Sequence, residues 1–342
     1  MRFLKTLGGT LPLLLPALIA GCGGLLDPEE PGNLVPATVD DDPTLPAVEL
    51  AGTRLHLQTF GDPADPVIVF LHGGPGGDYR SLLALKENYG GASLADDHFL
   101  VYWDQRGTGL SRRHGRETLT IAQYLVDLEA VIDRYSPGAP VLLIGESWGG
   151  MYATAFINRH PDRVRGAVLL EPGPLSHTYY DLVKDDLYAM DLGSEWLNDW
   201  VWSQEILAPD DHARMDYQRC LGIRDAQPRF HIQLDPASPF WRLGAAANRY
   251  VTEDGMDDDG NAVYDFTTDL AVYSTEVLFV ASGLNEVIGR DFQARQIAAY
   301  PNARLEVIEG AGHDFAWVKP AETLARIREY LTRLDAAKTG DQ

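Results

Sequence analysis

Gly145-Glu146-Ser147-Trp148-Gly149 directly follows the apolar run Val141-Leu142-Leu143-Ile144. The pattern predicts a buried strand, a tight turn with serine at its tip, and a helix from Trp148 to His160. Glycines flank the serine because a side chain there would strike the neighbouring strand or helix. The turn projects the Ser147 hydroxyl out of the sheet. The helix start behind it favours developing negative charge. That chemistry is nucleophilic attack on a carbonyl.

A hydroxyl is a poor nucleophile at neutral pH, so Ser147 needs a base, and the base needs an orienting acid. In a strand–turn–helix setting these follow the serine in the order acid, then histidine. Among nine histidines, His313 stands out. It sits in Glu309-Gly310-Ala311-Gly312-His313, just after the last strand-like run. His72, His98 and His160 fall in or beside early core elements and read as structural. For the acid, the preceding strand ends in Ser282-Gly283-Leu284-Asn285-Glu286-Val287. Asn285 carries no charge, so Glu286 is the expected acid. The oxyanion of a tetrahedral intermediate needs two donors. Trp148 N–H is supplied by the turn, and Gly74 N–H by the loop His72-Gly73-Gly74-Pro75-Gly76-Gly77. That loop is not a phosphate cradle, since no Gly-Lys-Ser/Thr follows it.

The elements that must position these groups are legible as alternating runs. Thr53 to Phe60 alternates as a strand, and Pro66 to Leu71 is continuously apolar, as a strand buried on both faces would be. His98 to Trp103 gives another strand. Thr120 predicts an N-cap for a helix over Ile121 to Tyr135. Strands follow at Val141–Ile144, Val164–Leu170, Glu276–Ala281 and Arg304–Ile308, with helices at Arg290–Tyr300 and Pro320–Leu334. Alternating strands and helices imply an α/β chain with a mostly parallel sheet covered on both faces. The alternation breaks between about 175 and 270, a stretch rich in Asp, Trp and Tyr. It reads as a helical cap inserted over the carboxyl ends of the strands, where ligands bind.

Composition bounds the setting. The 342 residues carry 50 acidic and 28 basic side chains, a formal charge of −22. Such a surface repels nucleic acid and anionic headgroups, so no nucleic-acid partner is expected. Arg2 and Lys5 precede the short apolar run Leu11 to Ala20, which ends in Leu18-Ile19-Ala20-Gly21-Cys22. This is a targeting segment too short to span comfortably. The two cysteines, Cys22 and Cys220, offer no disulfide framework and no Cys-based zinc site. Cys220 reads as a small buried hydrophobe. Residues 23 to 46, with Asp-Pro-Glu-Glu-Pro-Gly and Val-Asp-Asp-Asp-Pro-Thr-Leu-Pro, read as a disordered tether. The acidic run Asp257-Asp258-Asp259-Gly260 fails as a calcium loop. Aligned on Gly260, its first and last ligand positions are Gly255 and Phe266. No metal and no cofactor are expected.

Two resemblances sharpen these expectations. Leu18–Cys22 resembles the lipobox of bacterial lipoproteins. That implies cleavage before Cys22, acylation of Cys22, and a place in the cell envelope on the non-cytoplasmic face, held only by lipid. His72–Gly77, Trp103-Asp104-Gln105-Arg106-Gly107-Thr108-Gly109-Leu110-Ser111 and Gly145–Gly150 together resemble the signature segments of the proline iminopeptidase family of α/β-hydrolases. The resemblance implies an α/β-hydrolase core, here over 47–174 and 271–337, with a helical cap over 175–270; the targeting segment and the composition beside it set a signal peptide over 1–21 and a tether over 22–46. The family resemblance implies a Ser147–Glu286–His313 triad, with glutamate where the family usually has aspartate. An Asp104–Arg106 pair would brace the loop beside the site. It implies release of N-terminal residues, proline among them, from short peptides through an acyl-enzyme. Cap acids such as Asp185, Asp186, Glu195, Asp199 or Glu205 would hold the free amino group. A carboxylester hydrolase uses the same machinery. A surface lipoprotein that binds a ligand without turnover would not need Ser147, His313 and the Gly74 loop together.

Overall fold

The computed structural model describes residues 34–187, 192–206, 208–223 and 239–340. The strands are β1 (Ala47–Leu50), β2 (Thr53–Phe60), β3 (Val67–Leu71), β4 (Phe99–Trp103), β5 (Val141–Glu146), β6 (Val164–Leu170), β7 (Val277–Ser282) and β8 (Ala303–Ile308). They form one sheet in the order β1-β2-β4-β3-β5-β6-β7-β8. The pairs β1–β2 and β2–β4 are antiparallel, and every later pair is parallel. The central strands β3, β4 and β5 are buried along their whole length, and almost wholly apolar, because helices cover both faces. Alternate residues point to opposite sides. Val67, Val69, Leu71, Val101, Trp103 and Leu143 face one core with α1 (Ile121–Tyr135) and α2 (Trp148–Arg159). Ile68, Phe70, Leu100, Tyr102, Leu142 and Ile144 face a second core. That core is closed by the 3-10 helix Tyr79–Lys86 and by the C-terminal helix through Leu324, Ile327, Tyr330 and Leu331.

Helix α1 begins where its cap predicts: the Thr120 hydroxyl accepts from Gln123 N at 3.2 Å. The helix expected over 290–300 is Arg290–Gln296, continued by a 3-10 turn at Ile297–Ala299. Between β6 and β7 lie α3 (His177–Tyr180), α4 (Lys184–Leu187), α5 (Leu192–Ser203), α6 (Asp211–Ile223) and α7 (Ala245–Asp254). One buried carboxylate ties this layer to the core. Asp216 of α6 accepts from Arg113 Nε at 2.9 Å, from Arg242 Nε at 2.7 Å, and from Ala245 N at 2.9 Å. Arg113 in turn donates to the carbonyls of Ser111 and Gly109. A buried anion with two cations and a helix-end N–H is compensated, whereas either partner alone would be costly.

The tether expected over 22–46 is corrected for its second half. Residues 34–46 run along the core surface and bury Val35, Thr38 and Val39. Val39 N donates to Leu110 O at 2.8 Å, and Arg242 Nη1 donates to Pro36 O at 2.9 Å. Arg112 grips Asp40 with two donors, Nε to Oδ2 at 2.8 Å and Nη2 to Oδ1 at 2.9 Å. Prolines and acids dominate the composition of this stretch, but two valines and one paired aspartate suffice to dock it. Residues 22–33 of the expected tether, with the signal segment and Cys22, lie outside the described residues. Val39→Ala should lower unfolding stability by about 1–3 kcal/mol, read from the urea midpoint, because it empties a fully buried site. A freely solvated tether would leave that midpoint unchanged.

Candidate active site

The tight turn at Ser147 is present and is strained. Ser147 has φ 53° and ψ −117°, a region a non-glycine residue enters only when the surroundings enforce it. Two glycines make that possible. A Cβ on Gly149 would lie 1.9 Å from Leu71 O, and one on Gly145 would lie 2.2 Å from Gly149 O. Ser147 N donates to Leu170 O at 2.9 Å, so the turn sits against the end of β6. Trp148 opens α2, and a first-turn N–H has no partner within its own helix. The Trp148 indole donates to Gln105 Oε1 at 3.0 Å.

The loop after β3 packs directly on this turn. A Cβ on Gly73 would stand 3.2 Å from Ser147 Cβ. Gly74 has φ 124°, a conformation open to glycine and strained for other residues. His72, fully buried, organises the loop. Its Nδ1 lies 2.9 Å from Gly73 O and its Nε2 accepts from Gln105 N at 3.1 Å. Burial holds its pKa below the ordinary value. It is thus a neutral, structural histidine: one ring nitrogen donates and the other accepts.

His313 meets a different acid from the one its sequence neighbourhood suggests. Its Nδ1 lies 2.6 Å from Glu171 Oε2. Glu171 follows β6, is fully buried, and has φ 46°. Ser282 N and Ser282 Oγ donate to Glu171 Oε1 at 2.7 and 2.5 Å, and Asn285 Nδ2 donates to Oε2 at 2.9 Å. A carboxylate so satisfied can remain ionised without water. Glu286, the expected acid, is exposed. The place at the imidazole belongs to Glu171, and the loop after β7 supplies donors to that carboxylate instead of a carboxylate of its own. Asn285 could not exchange roles with it, because its Oδ1 already accepts from Val287 N and Ile288 N.

The signal missed in the sequence is Leu170-Glu171-Pro172. There a lone acid follows the run Gly166–Leu170, which carries no polar side chain, one strand over from the serine turn. Glu171, like Glu286, lies between Ser147 and His313 in the chain. Asp104 and Arg106 do not pair with each other. Asp104 accepts from His56 Nδ1, Tyr79 N and Leu110 N, while Arg106 forks onto Asp127 at 2.8 and 2.7 Å. Both brace the Trp103–Ser111 segment from inside. The five candidate cap acids, Asp185, Asp186, Glu195, Asp199 and Glu205, are all exposed. Among the described residues no cluster of side chains suited to a metal ion occurs.

The electrostatics of His313 follow from its partners. Burial disfavours the imidazolium, but the hydrogen bond and charge of Glu171, with Asp314 and Glu146 adding their fields, outweigh it. The pKa rises from 6.5 to about 9. Glu146 is the residue before Ser147, so the imidazole senses the serine turn.

Residues 66–320 match the family model of the alpha/beta hydrolase fold. The chain belongs to that family. It is a hydrolase by descent, and its relatives diverge in chemistry. It is 22% identical over 298 residues to cis-3-alkyl-4-alkyloxetan-2-one decarboxylase of Shewanella oneidensis, covering 84% of this chain and 88% of that protein. It is 34% identical over 127 residues to proline iminopeptidase of Heyndrickxia coagulans. That alignment covers 36% of this chain and 42% of the enzyme, under half its length. Among solved structures, proline iminopeptidase of Mycobacterium smegmatis superposes with a TM-score of 0.58 at 16% identity, over 86% of this chain and 100% of that one. A thermophilic esterase of Thermogutta terrifontis superposes with a TM-score of 0.57 at 17% identity, over 84% and 99%. At such identities the structural likeness shows the fold.

The Glu171–His313 pair leads to a paired expectation. Glu171→Gln keeps the shape but removes the charge that favours the imidazolium. It should cut kcat by about 10⁴-fold, while Glu286→Gln stays within about threefold. A base must be unprotonated, so wild-type kcat/KM should climb with pH and level off above about 9. The Glu171→Gln profile should move its midpoint down. The linked stability has the opposite sense. With the folded pKa above 6.5, the pair's stabilisation is full below about pH 6.5 and fades as pH rises through about 9. Stopped-flow or steady-state pH profiles of the three proteins check this. An undiminished Glu171→Gln enzyme would return the acid role to another residue.

Proposed function

We propose that this protein is a serine hydrolase that cleaves carboxylic amides or esters through an acyl-enzyme, with Ser147 as nucleophile, His313 as base and Glu171 as the orienting acid. The observation that carries the reading is the strained Ser147 turn lying one strand from a buried, fully hydrogen-bonded Glu171 carboxylate on His313. In this reading Ser147 Oγ attacks the carbonyl carbon as His313 Nε2 takes its proton. Negative charge grows on the former carbonyl oxygen, facing the N–H groups of Trp148 and Gly74. The leaving amine or alcohol departs with the proton held by His313. Water, deprotonated by the same nitrogen, then releases the acid. Glu171 stays ionised and holds the Nδ1–H throughout.

Within this class, short peptides with a free amino terminus are the first substrate to test. The three signature segments and the partial identity to proline iminopeptidases support that choice. A carboxylester is the second reading. The exposure of all five cap acids named as amine ligands favours it, since a solvated carboxylate gives an ammonium group little binding energy. The lipobox-like Leu18–Cys22 segment supports anchorage of the whole chain to an envelope membrane through acylated Cys22.

Two experiments test these readings. Ser147→Ala should lose at least about 10⁴-fold in rate and all labelling by a fluorophosphonate, while keeping its melting temperature. In the same assay, an aminoacyl anilide is compared with its N-acetylated twin and with a short acyl ester. A roughly 30-fold or larger preference for the free amine, near 2 kcal/mol or more, supports the peptidase. Equal kcat/KM for the twins promotes the esterase. For the anchor, mass spectrometry of the mature N-terminus should find cleavage before Cys22 and acyl chains on it. An unmodified Cys22 removes the anchor.

A further inference from the structure

We propose that Asn248, on the returning cap helix α7, is a positioning residue for the oxyanion-binding loop. This inference rests on the serine acyl-transfer reading. Asn248 Nδ2 donates to Pro75 O at 2.5 Å, one residue past Gly74. Gly244 N, just ahead of α7, donates to Gly76 O at 2.8 Å. The fit is close. A Cβ on Gly76, whose φ is 100°, would lie 2.7 Å from Asn248 Cβ and 2.7 Å from Gly244 O. On the core side the same loop is held through His72, whose Nε2 accepts from Gln105 N at 3.1 Å and whose carbonyl accepts from Gln105 Nε2 at 3.0 Å. The loop that carries Gly74 is therefore clamped from both sides, and the outer jaw belongs to the cap.

That jaw is itself fixed. Asp216 Oδ1 accepts from Ala245 N, the first N–H of α7, and its Oδ2 bridges Arg113 and Arg242 within the interior. Arg113 reaches back to the carbonyls of Gly109 and Ser111 in the core. Cap and core are thus joined by ion pairs at one end of this path and by the Asn248 amide at the other. An N–H aimed at a developing oxyanion stabilises the transition state only while its direction is held. Releasing Pro75 O frees the loop beside Gly74 without touching Ser147, Glu171 or His313. The expected lesion is in kcat, not in ground-state binding.

The test uses the full chain, with p-nitrophenyl butyrate as substrate and butylboronic acid as a probe that forms a tetrahedral adduct with the serine oxygen. Fluorophosphonate titration counts active sites, so that a partly folded variant is corrected for. Asn248→Ala should lower kcat about 10- to 100-fold with KM within threefold, and weaken the boronate by the same factor as kcat/KM. Asn248→Asp, equal in shape but presenting an acceptor to the Pro75 carbonyl, should do at least as much. It decides the matter if the alanine variant does not fold. Per-site kcat and boronate affinity within threefold of wild type in Asn248→Asp would overturn the proposal, as would a loss carried wholly by KM. A wild-type protein that neither labels at Ser147 nor turns over the ester would remove the serine reading, and this inference with it.

Discussion

The interaction on which the site depends is the buried Glu171 carboxylate. It sits in the interior at the end of β6, takes three hydrogen bonds from Ser282 and Asn285, and gives its remaining capacity to His313. An ionised carboxylate away from water is tolerable only when its lone pairs are met. Those donors come from a different strand, β7, and the loop after it, and the histidine from the loop after β8. Three consecutive strand ends are therefore held in register by one charged group. Because the anion cannot be hydrated there, its field falls on the imidazole and lifts the pKa of that ring to about 9.

The strain at Ser147 belongs to the same construction. The turn can hold a serine at positive φ because Gly145 and Gly149 let β3, β5 and α2 approach within distances no side chain would permit. Glu171 is strained in the same sense, with φ 46°, on the adjacent strand end. Two non-glycine residues in that region, side by side, mark where the sheet gives up local comfort to aim functional groups. The cost is borne by the two apolar layers that flank the sheet, in which the central strands are buried on both faces.

The cap is joined to this core by polar contacts of high specificity, not by apolar area alone. Asp216 between two arginines, Asn248 on Pro75 and Gly244 on Gly76 all require particular atoms at particular places. The N-terminal strap takes part, since Arg242 also binds the Pro36 carbonyl and Val39 fills a core site. A segment fastened in this way bears directly on the loop beside the serine turn, through Pro75 and Gly76.

Much of this architecture is legible in the chain itself. Continuous apolar runs reveal the strands that are buried on both faces, and Thr120 the start of α1. Gly-x-Ser-x-Gly after Val141–Ile144 reveals the strained serine turn, and the three glycine-rich segments the alpha/beta hydrolase family. These are local signals, written in residue types over a few positions, and local backbone physics reads them directly. The acid is not legible in that way. Glu286 and Glu171 each follow a strand, and no spacing rule tells which carboxylate is buried at the imidazole. Only the packing of β6 beside β7 puts Ser282 and Asn285 around Glu171 and leaves Glu286 exposed. The docking of residues 34–46 is hidden for a related reason. Composition averages a segment, whereas Val39 needs one cavity and Asp40 one arginine. Residue types and local spacing suffice for the serine turn, for His313 and for the order of the elements. Which of two acids meets the histidine is set by packing, because burial and hydrogen-bond satisfaction are properties of contacts between strands far apart in the chain.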